Sequence, residues 1–133
     1  MANLSSHGKH NIWLDNNIVY VESTGPWNME YFQQLHLEMP KLIAQIPNQR
    51  YVVCLTLIGD AIPVKEAIAF HTEYVKTRSV LAIALDMSKC TSEVITQKIL
   101  SDIYRCANIQ HQFFEDSDTA KAWLIEVLQR KVD

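Results

Sequence analysis

Two short apolar runs in the middle of the chain give the clearest indication of its fold. They cover residues 51–57 and 80–85, and a segment with helical spacing of apolar positions follows each. Runs of this length that are rich in β-branched residues are typical of strands buried on both faces, as in parallel sheets whose strands are joined by helices. The pattern therefore predicts an α/β fold in which these two strands lie side by side and parallel.

The first third of the chain predicts a hairpin and a long helix. Residues 11–14 and 18–22 are two extended runs, and the Asp-Asn-Asn sequence at 15–17 between them favours a turn. Asn28 is placed to cap the helix, because its side chain can accept a hydrogen bond from a backbone N–H of the first turn. Pro40 is expected to kink or split this helix.

The rest of the chain continues as alternating strands and helices. A helix begins near Pro63, and another follows a predicted loop at 86–92. The polar and apolar alternation over 109–114 is typical of a half-exposed edge strand. Asp116 or Ser117 is placed to cap a final amphipathic helix. The predicted order is β-β-α-β-α-β-α-β-α, a mostly parallel sheet with an N-terminal hairpin.

Size and charge favour one domain without nucleic acid partners. The chain has 133 residues, which suits a single hydrophobic core, and we expect one domain over 1–133 with a flexible N-terminal segment at 1–10. The net charge of -3 gives no reason to expect binding to phosphate backbones. There is no signal-peptide core and no stretch near the roughly 20 apolar residues that span a bilayer. We expect a cytoplasmic protein without membrane insertion.

No group of residues predicts a reaction. The three cysteines form no C-x-x-C pair, so neither a disulfide framework nor a cysteine-rich zinc site is indicated. His36, His71 and His111 lie on different predicted elements, and we interpret each as a structural residue rather than a metal ligand. Three glycines cannot supply a glycine-rich phosphate loop. We therefore expect a protein that is not an enzyme and has no cofactor and no metal.

Three segments of the chain are similar to parts of one known family. They are Gly25-Pro26-Trp27-Asn28 between a strand and a long helix, the strand at 51–57 with its short loop and helix, and the closing strand and helix at 112–124. Together with the element order, they resemble the STAS or SpoIIAA-like fold. That fold occurs in anti-sigma factor antagonists, in the cytosolic tails of sulfate transporters and in small SpoIIAA-like bacterial proteins. The resemblance covers essentially the whole chain and implies a non-catalytic module for protein interaction or regulation.

The resemblance does not extend to the phosphorylation switch of the antagonists. Those proteins carry an Asp-Ser pair at the start of the helix after the central strand, and phosphorylating the serine changes partner binding. The corresponding residues 57–63 contain Asp60 but no hydroxyl group. Asp60 is either a fixed negative charge at a docking surface or, more commonly for this residue type, a turn or cap residue.

A candidate binding site follows from the predicted sheet. Ligands of open α/β sheets bind beyond the carboxyl ends of the strands, where loops and helix N-termini converge. We expect Asp86 to be either a base or a carboxylate that orders its loop, and Ser88 to be either a ligand or phosphate site or a local turn residue. The residues predicted to bind a partner or ligand at this edge are Trp27, Gly59, Asp60, Asp86 and Ser88.

A ligand-binding function is the alternative to the interaction module. Trp27, Phe32, Phe70 and Tyr74 either line a pocket for an apolar ligand or belong to the core, which is the commoner role of aromatic residues at helical spacing. The alternative function is therefore a binder of a small apolar or anionic ligand at the carboxyl edge of the sheet.

The predicted topology leaves one face of the sheet to be covered. Sequential right-handed crossovers place their helices on the same face, although both central strands are apolar on both sides. The N-terminal hairpin, an end helix or a second copy of the chain would have to cover the other face. We predict a homodimer, with Phe70 and Tyr74 near the contact.

Overall fold

The computed structural model describes residues 8–130 and has the predicted element order. The strands are β1 (Lys9–Asp15), β2 (Ile18–Thr24), β3 (Val52–Gly59), β4 (Ile83–Cys90) and β5 (His111–Phe114), and the helices are α1 (Met29–Ile43), α2 (Lys65–Val75), α3 (Glu93–Cys106) and α4 (Ser117–Arg130). Most of the predicted N-terminal segment 1–10 lies outside the described residues, and β1 begins within that segment at Lys9.

The five strands form one mixed sheet in the order β1-β2-β3-β4-β5. β1 and β2 are the antiparallel hairpin, and all other neighbouring strands are parallel. In the centre, Val53 of β3 pairs with Ile83 of β4, and Leu55 pairs with Leu85. The prediction that these two strands are parallel neighbours is confirmed. The carboxyl ends of the four parallel strands consequently lie at one edge of the sheet.

β4 departs from its predicted boundaries. The sequence predicts a strand over 80–85 and a loop over 86–92, whereas β4 extends over Ile83–Cys90. Met87 is fully buried, so the inward-facing pattern continues past Leu85. Asp86 is also buried, and its Oδ1 accepts a hydrogen bond from the Ser88 backbone N at 2.9 Å. The apolar run ends at Asp86, but the strand continues because the ladder with β3 resumes at Lys89 and Cys90 after a register shift.

The predicted helix caps are largely confirmed. The Asn28 side chain accepts a hydrogen bond from the Tyr31 backbone N at 3.0 Å, and Asp116 accepts one from the Thr119 N at 2.8 Å. α1 continues through Pro40, so this proline does not split the helix. None of the helices within residues 8–130 is long and apolar enough to cross a membrane.

The sheet separates two apolar cores. α1, α2 and α3 pack on one face, as expected when sequential parallel strands are joined by crossovers of one hand. α4 covers the other face, where its Leu124 and Val127 are fully buried in one cluster with Val52 and Ala84. Of the three covers considered for this face, the end helix is the one present. The homodimer stays a prediction. The argument for it was an uncovered sheet face, and α4 covers that face.

Candidate functional site

Three of the five predicted site residues come together at the carboxyl edge of the sheet. Trp27 N donates a hydrogen bond to Ile62 O at 3.1 Å, and Val64 N donates to Trp27 O at 2.9 Å. This pairing holds the segment between β2 and α1 against the loop that contains Gly59 and Asp60. The two chains approach so closely at Gly25 that a Cβ there would overlap the Asp60 carbonyl oxygen.

The Asp60 carboxylate is used inside this loop cluster. Thr91 Oγ1 donates a hydrogen bond to Asp60 Oδ1 at 2.6 Å, and Thr91 N donates to Gly59 O at 2.9 Å. These bonds tie the end of β3 to the start of α3. The sequence did not predict this contact with Asp60, because the contact depends on how two loops meet at the sheet edge. The bond within the loops is compatible with the interpretation of Asp60 as a turn residue.

Asp86 and Ser88 lie on β4 rather than in the predicted loop. Asp86 is buried in the sheet, whereas Ser88 is exposed. Burial, with the Asp86 carboxylate adding to it, raises the pKa of the Cys54 thiol to about 11. Cys54 is therefore protonated at neutral pH and behaves as a small apolar residue. Of the five predicted residues, Trp27, Gly59 and Asp60 belong to the segments that meet at the edge, and Asp86 is enclosed within the sheet.

A cavity of about 80 Å³ lies elsewhere, between α1, α2 and the sheet. Val53, Leu55 and Ile83 of β3 and β4 contribute to its floor, and Leu100 of α3 also lines it. Almost all of its lining is apolar. A single buried water needs roughly 10–15 Å³, so the space is several times larger than one water requires. Its apolar lining is typical of small-molecule sites, and its volume, below the roughly 300–1,000 Å³ of pockets for drug-sized ligands, suits only a small molecule.

Three of the four aromatic residues weighed as pocket walls line this cavity. Trp27, Phe32 and Tyr74 contribute to its surface. Trp27 and Phe32 meet edge to face, with ring centroids 5.9 Å apart. Phe70 instead stacks against His36 at a centroid distance of 5.2 Å. Trp27 and Phe32 are at the same time buried members of the core, so both interpretations stay open.

Two histidines from neighbouring helices form a hydrogen-bonded pair in the cavity wall. Nε2 of His36 on α1 lies 2.9 Å from Nδ1 of His71 on α2. Burial, with His36 adding to it, lowers the pKa of His71 to about 3. Burial, with the Arg78 guanidinium adding to it, lowers the pKa of His36 to about 4. Both rings are therefore neutral at pH 7, and one donates its N–H to the other.

The sequence treated these histidines separately because they are 35 positions apart on different helices. A signal was nevertheless present. His71 lies on the buried stripe of α2, and His36 follows Phe32 by one helical turn on α1. Sequential crossovers place both helices on the same face of the sheet. Two histidines on the sheet-facing sides of neighbouring helices are therefore candidates for contact.

Three residues of the cavity wall have a buried polar atom without a hydrogen-bond partner among residues 8–130. The atoms are Nε1 of Trp27, Nδ1 of His36 and the hydroxyl oxygen of Tyr74. A buried polar group without a partner costs about 1–3 kcal/mol, and such groups are uncommon in native proteins. An indole N–H can only donate, whereas the His36 nitrogen donates or accepts according to the tautomer of the pair.

Among residues 8–130, Arg78 is the one cavity residue with a permanently charged side chain. It is exposed, and its guanidinium lies over the Tyr74 ring at 4.9 Å from the centroid. No Asp or Glu lines the cavity. The same described part of the chain holds no group of three or more side chains placed to bind a metal ion.

No family model matches this sequence, and no curated protein and no solved structure matches it.

Proposed function

We propose that this protein binds a small, mostly apolar molecule in the cavity between α1, α2 and the sheet. The observation that carries the proposal is an apolar cavity several times larger than one water molecule requires. The proposal keeps the ligand-binding alternative predicted from the sequence. It moves the site from the carboxyl edge of the sheet to the interior, with Trp27 common to both.

The physical case rests on how natural cores are packed. Interiors are close-packed and contain few voids larger than a water molecule. Here Leu55, in the central strand, is only half-buried because the cavity reaches it. Covering that surface with an apolar ligand gains roughly 25 cal/mol per Å² removed from water.

The test uses a neutral probe and a variant that narrows the cavity. Hexan-1-ol is titrated into the protein, and binding is measured by isothermal titration calorimetry and by NMR chemical shifts. Leu55→Phe adds a ring to the cavity floor and should weaken binding at least about tenfold, whereas Leu37→Phe makes the same change at an exposed α1 position outside the cavity. Leu37→Phe should bind like the wild type.

Thermal unfolding shows whether both variants are folded before their affinities are compared. If the wild type does not bind hexan-1-ol at millimolar concentration, or if folded Leu55→Phe binds it as well as the wild type does, the cavity is a packing feature and not a site.

A second candidate is the STAS-like interaction module implied by the family resemblance. The support is the mixed sheet with its N-terminal hairpin, together with three exposed apolar residues where α2 and α3 begin. Val94 is 87 % exposed, and Ile95 and Val64 are 49 % and 44 % exposed. Such residues are candidates for a protein contact. A host protein retained by the wild type and lost by Val94→Asp would support this function, and equal retention by both would contradict it.

A further inference from the structure

The residues around the cavity set the charge of what it can hold. No acidic side chain lines it, and Arg78 supplies one permanent positive charge. The two histidines are neutral, because both pKa values lie well below 7. A cationic molecule would therefore lose its hydration without gaining a partner, whereas an anion would gain one.

Arg78 has no competing ion pair in the described part of the chain. Two positions earlier, Lys76 is bonded to Glu73 at 3.1 Å, and the other lysines and arginines that form ion pairs lie on α3 and α4. The Arg78 guanidinium instead rests on the face of Tyr74. Arg78 Nε donates a hydrogen bond to Thr77 Oγ1 at 3.2 Å, which leaves the two terminal Nη groups to bind a carboxylate with parallel N–H donors.

The charged residue of the cavity is exposed, whereas several of its apolar residues are buried. Arg78 is exposed, whereas Phe32, Ile83 and Leu100 are buried cavity residues. A charged group at Arg78 keeps part of its hydration, so its desolvation cost is lower than at the buried end. The apolar body of the same molecule would lie inward, against the sheet.

We propose that the ligand of this cavity is an organic carboxylate, with its carboxylate paired to Arg78 at the mouth and its apolar body inside. This inference rests on the function proposed above and adds the chemical class of the ligand. It places the anionic group away from the loops around Asp60, where the sequence had placed the candidate site.

A series of probes of one chain length tests the charge. Hexanoate, hexan-1-ol and hexylammonium are titrated into the wild-type protein at pH 7.5 and low salt. A partly exposed ion pair contributes up to about 1 kcal/mol, so hexanoate should bind about fivefold more tightly than hexan-1-ol, with hexylammonium weakest. Raising the ionic strength should reduce the preference for hexanoate.

Three variants assign the preference to one side chain. Arg78→Gln should lower the hexanoate affinity about fivefold, to that of hexan-1-ol. Arg78→Lys keeps the charge and should keep part of the preference. Lys76→Gln removes an exposed cation two positions away that does not line the cavity, and it should keep the whole preference.

The outcomes separate this inference from the function on which it rests. Equal binding of hexanoate and hexan-1-ol, tighter binding of hexylammonium, or a preference that survives Arg78→Gln overturns the carboxylate and leaves the cavity as a site for neutral molecules. Absence of binding by all three probes overturns the site itself. Binding of both hexanoate and hexan-1-ol, with a preference for hexanoate that is lost in Arg78→Gln, supports both.

Discussion

Replacing His71 should reduce the loss of stability that acid causes. This side chain is buried on α2, and burial, with His36 adding to it, lowers its pKa to about 3. In an unfolded chain a histidine titrates near pH 6.5. Between these two values the unfolded state binds a proton that the folded state does not. The free energy of unfolding is therefore complete above pH 6.5 and falls as the pH drops toward 3.

The size of the effect follows from the width of that interval. Between pH 7.5 and 5.0, the difference in proton binding acts mainly over the roughly 1.5 pH units below 6.5. At about 1.4 kcal/mol per unit, His71 alone accounts for a loss of about 2 kcal/mol. His36 acts in the same direction because its pKa is lowered to about 4, but its partial exposure makes its share smaller.

Urea unfolding at pH 7.5 and 5.0 measures this difference for the wild type, His71→Gln and His71→Phe. Glutamine keeps a hydrogen-bonding group opposite His36 and phenylalanine does not, so the two variants should differ in stability at pH 7.5. Neither titrates, and both should lose about 2 kcal/mol less than the wild type between the two pH values. If all three proteins lose the same free energy, His71 is not held neutral in the folded state and the reasoning fails.

Two further predictions concern positions outside the cavity, and both are measured as free energies of unfolding in urea. Gly25→Ala should cost about 3 kcal/mol because its Cβ meets the Asp60 carbonyl, whereas Gly59→Ala, with φ of 71° and open space around it, should cost about 1–2 kcal/mol. Equal costs would contradict the close approach. Leu124→Ala, fully buried under the sheet, should cost about 2–5 kcal/mol, and its neighbour Ile125→Ala, at a 40 % exposed position, below about 1 kcal/mol. A small loss for Leu124→Ala would show that α4 does not seal that face.

The central sheet was predictable because its signal is local. The runs at 51–57 and 80–85 are apolar without alternation, and that pattern requires burial on both faces. The extent of β4 was not predictable in the same way. Asp86 interrupts the apolar run, and only the structure shows that its carboxylate is bonded to the Ser88 N–H and that the strand continues.

The sequence predicted only those contacts of the candidate site that follow from the order of strands and helices. Trp27, Gly59 and Asp60 meet because parallel strands end at one edge, which the order of elements already implies. The cavity depends instead on the volumes of side chains from several elements. The His36–His71 contact likewise joins two helices whose relative rotation no local pattern records.

The two-sided core has a consequence for how this chain can change. The backbone of the sheet stands between the cavity and the cluster around Val52, Ala84 and Leu124, so no side chain is shared across it. The changes in the free energy of unfolding caused by substitutions in one core should then add to those caused by substitutions in the other. The core beneath α4 stabilises the fold on its own side of the sheet. Side chains that line the cavity can therefore change in size and polarity while that core stays the same.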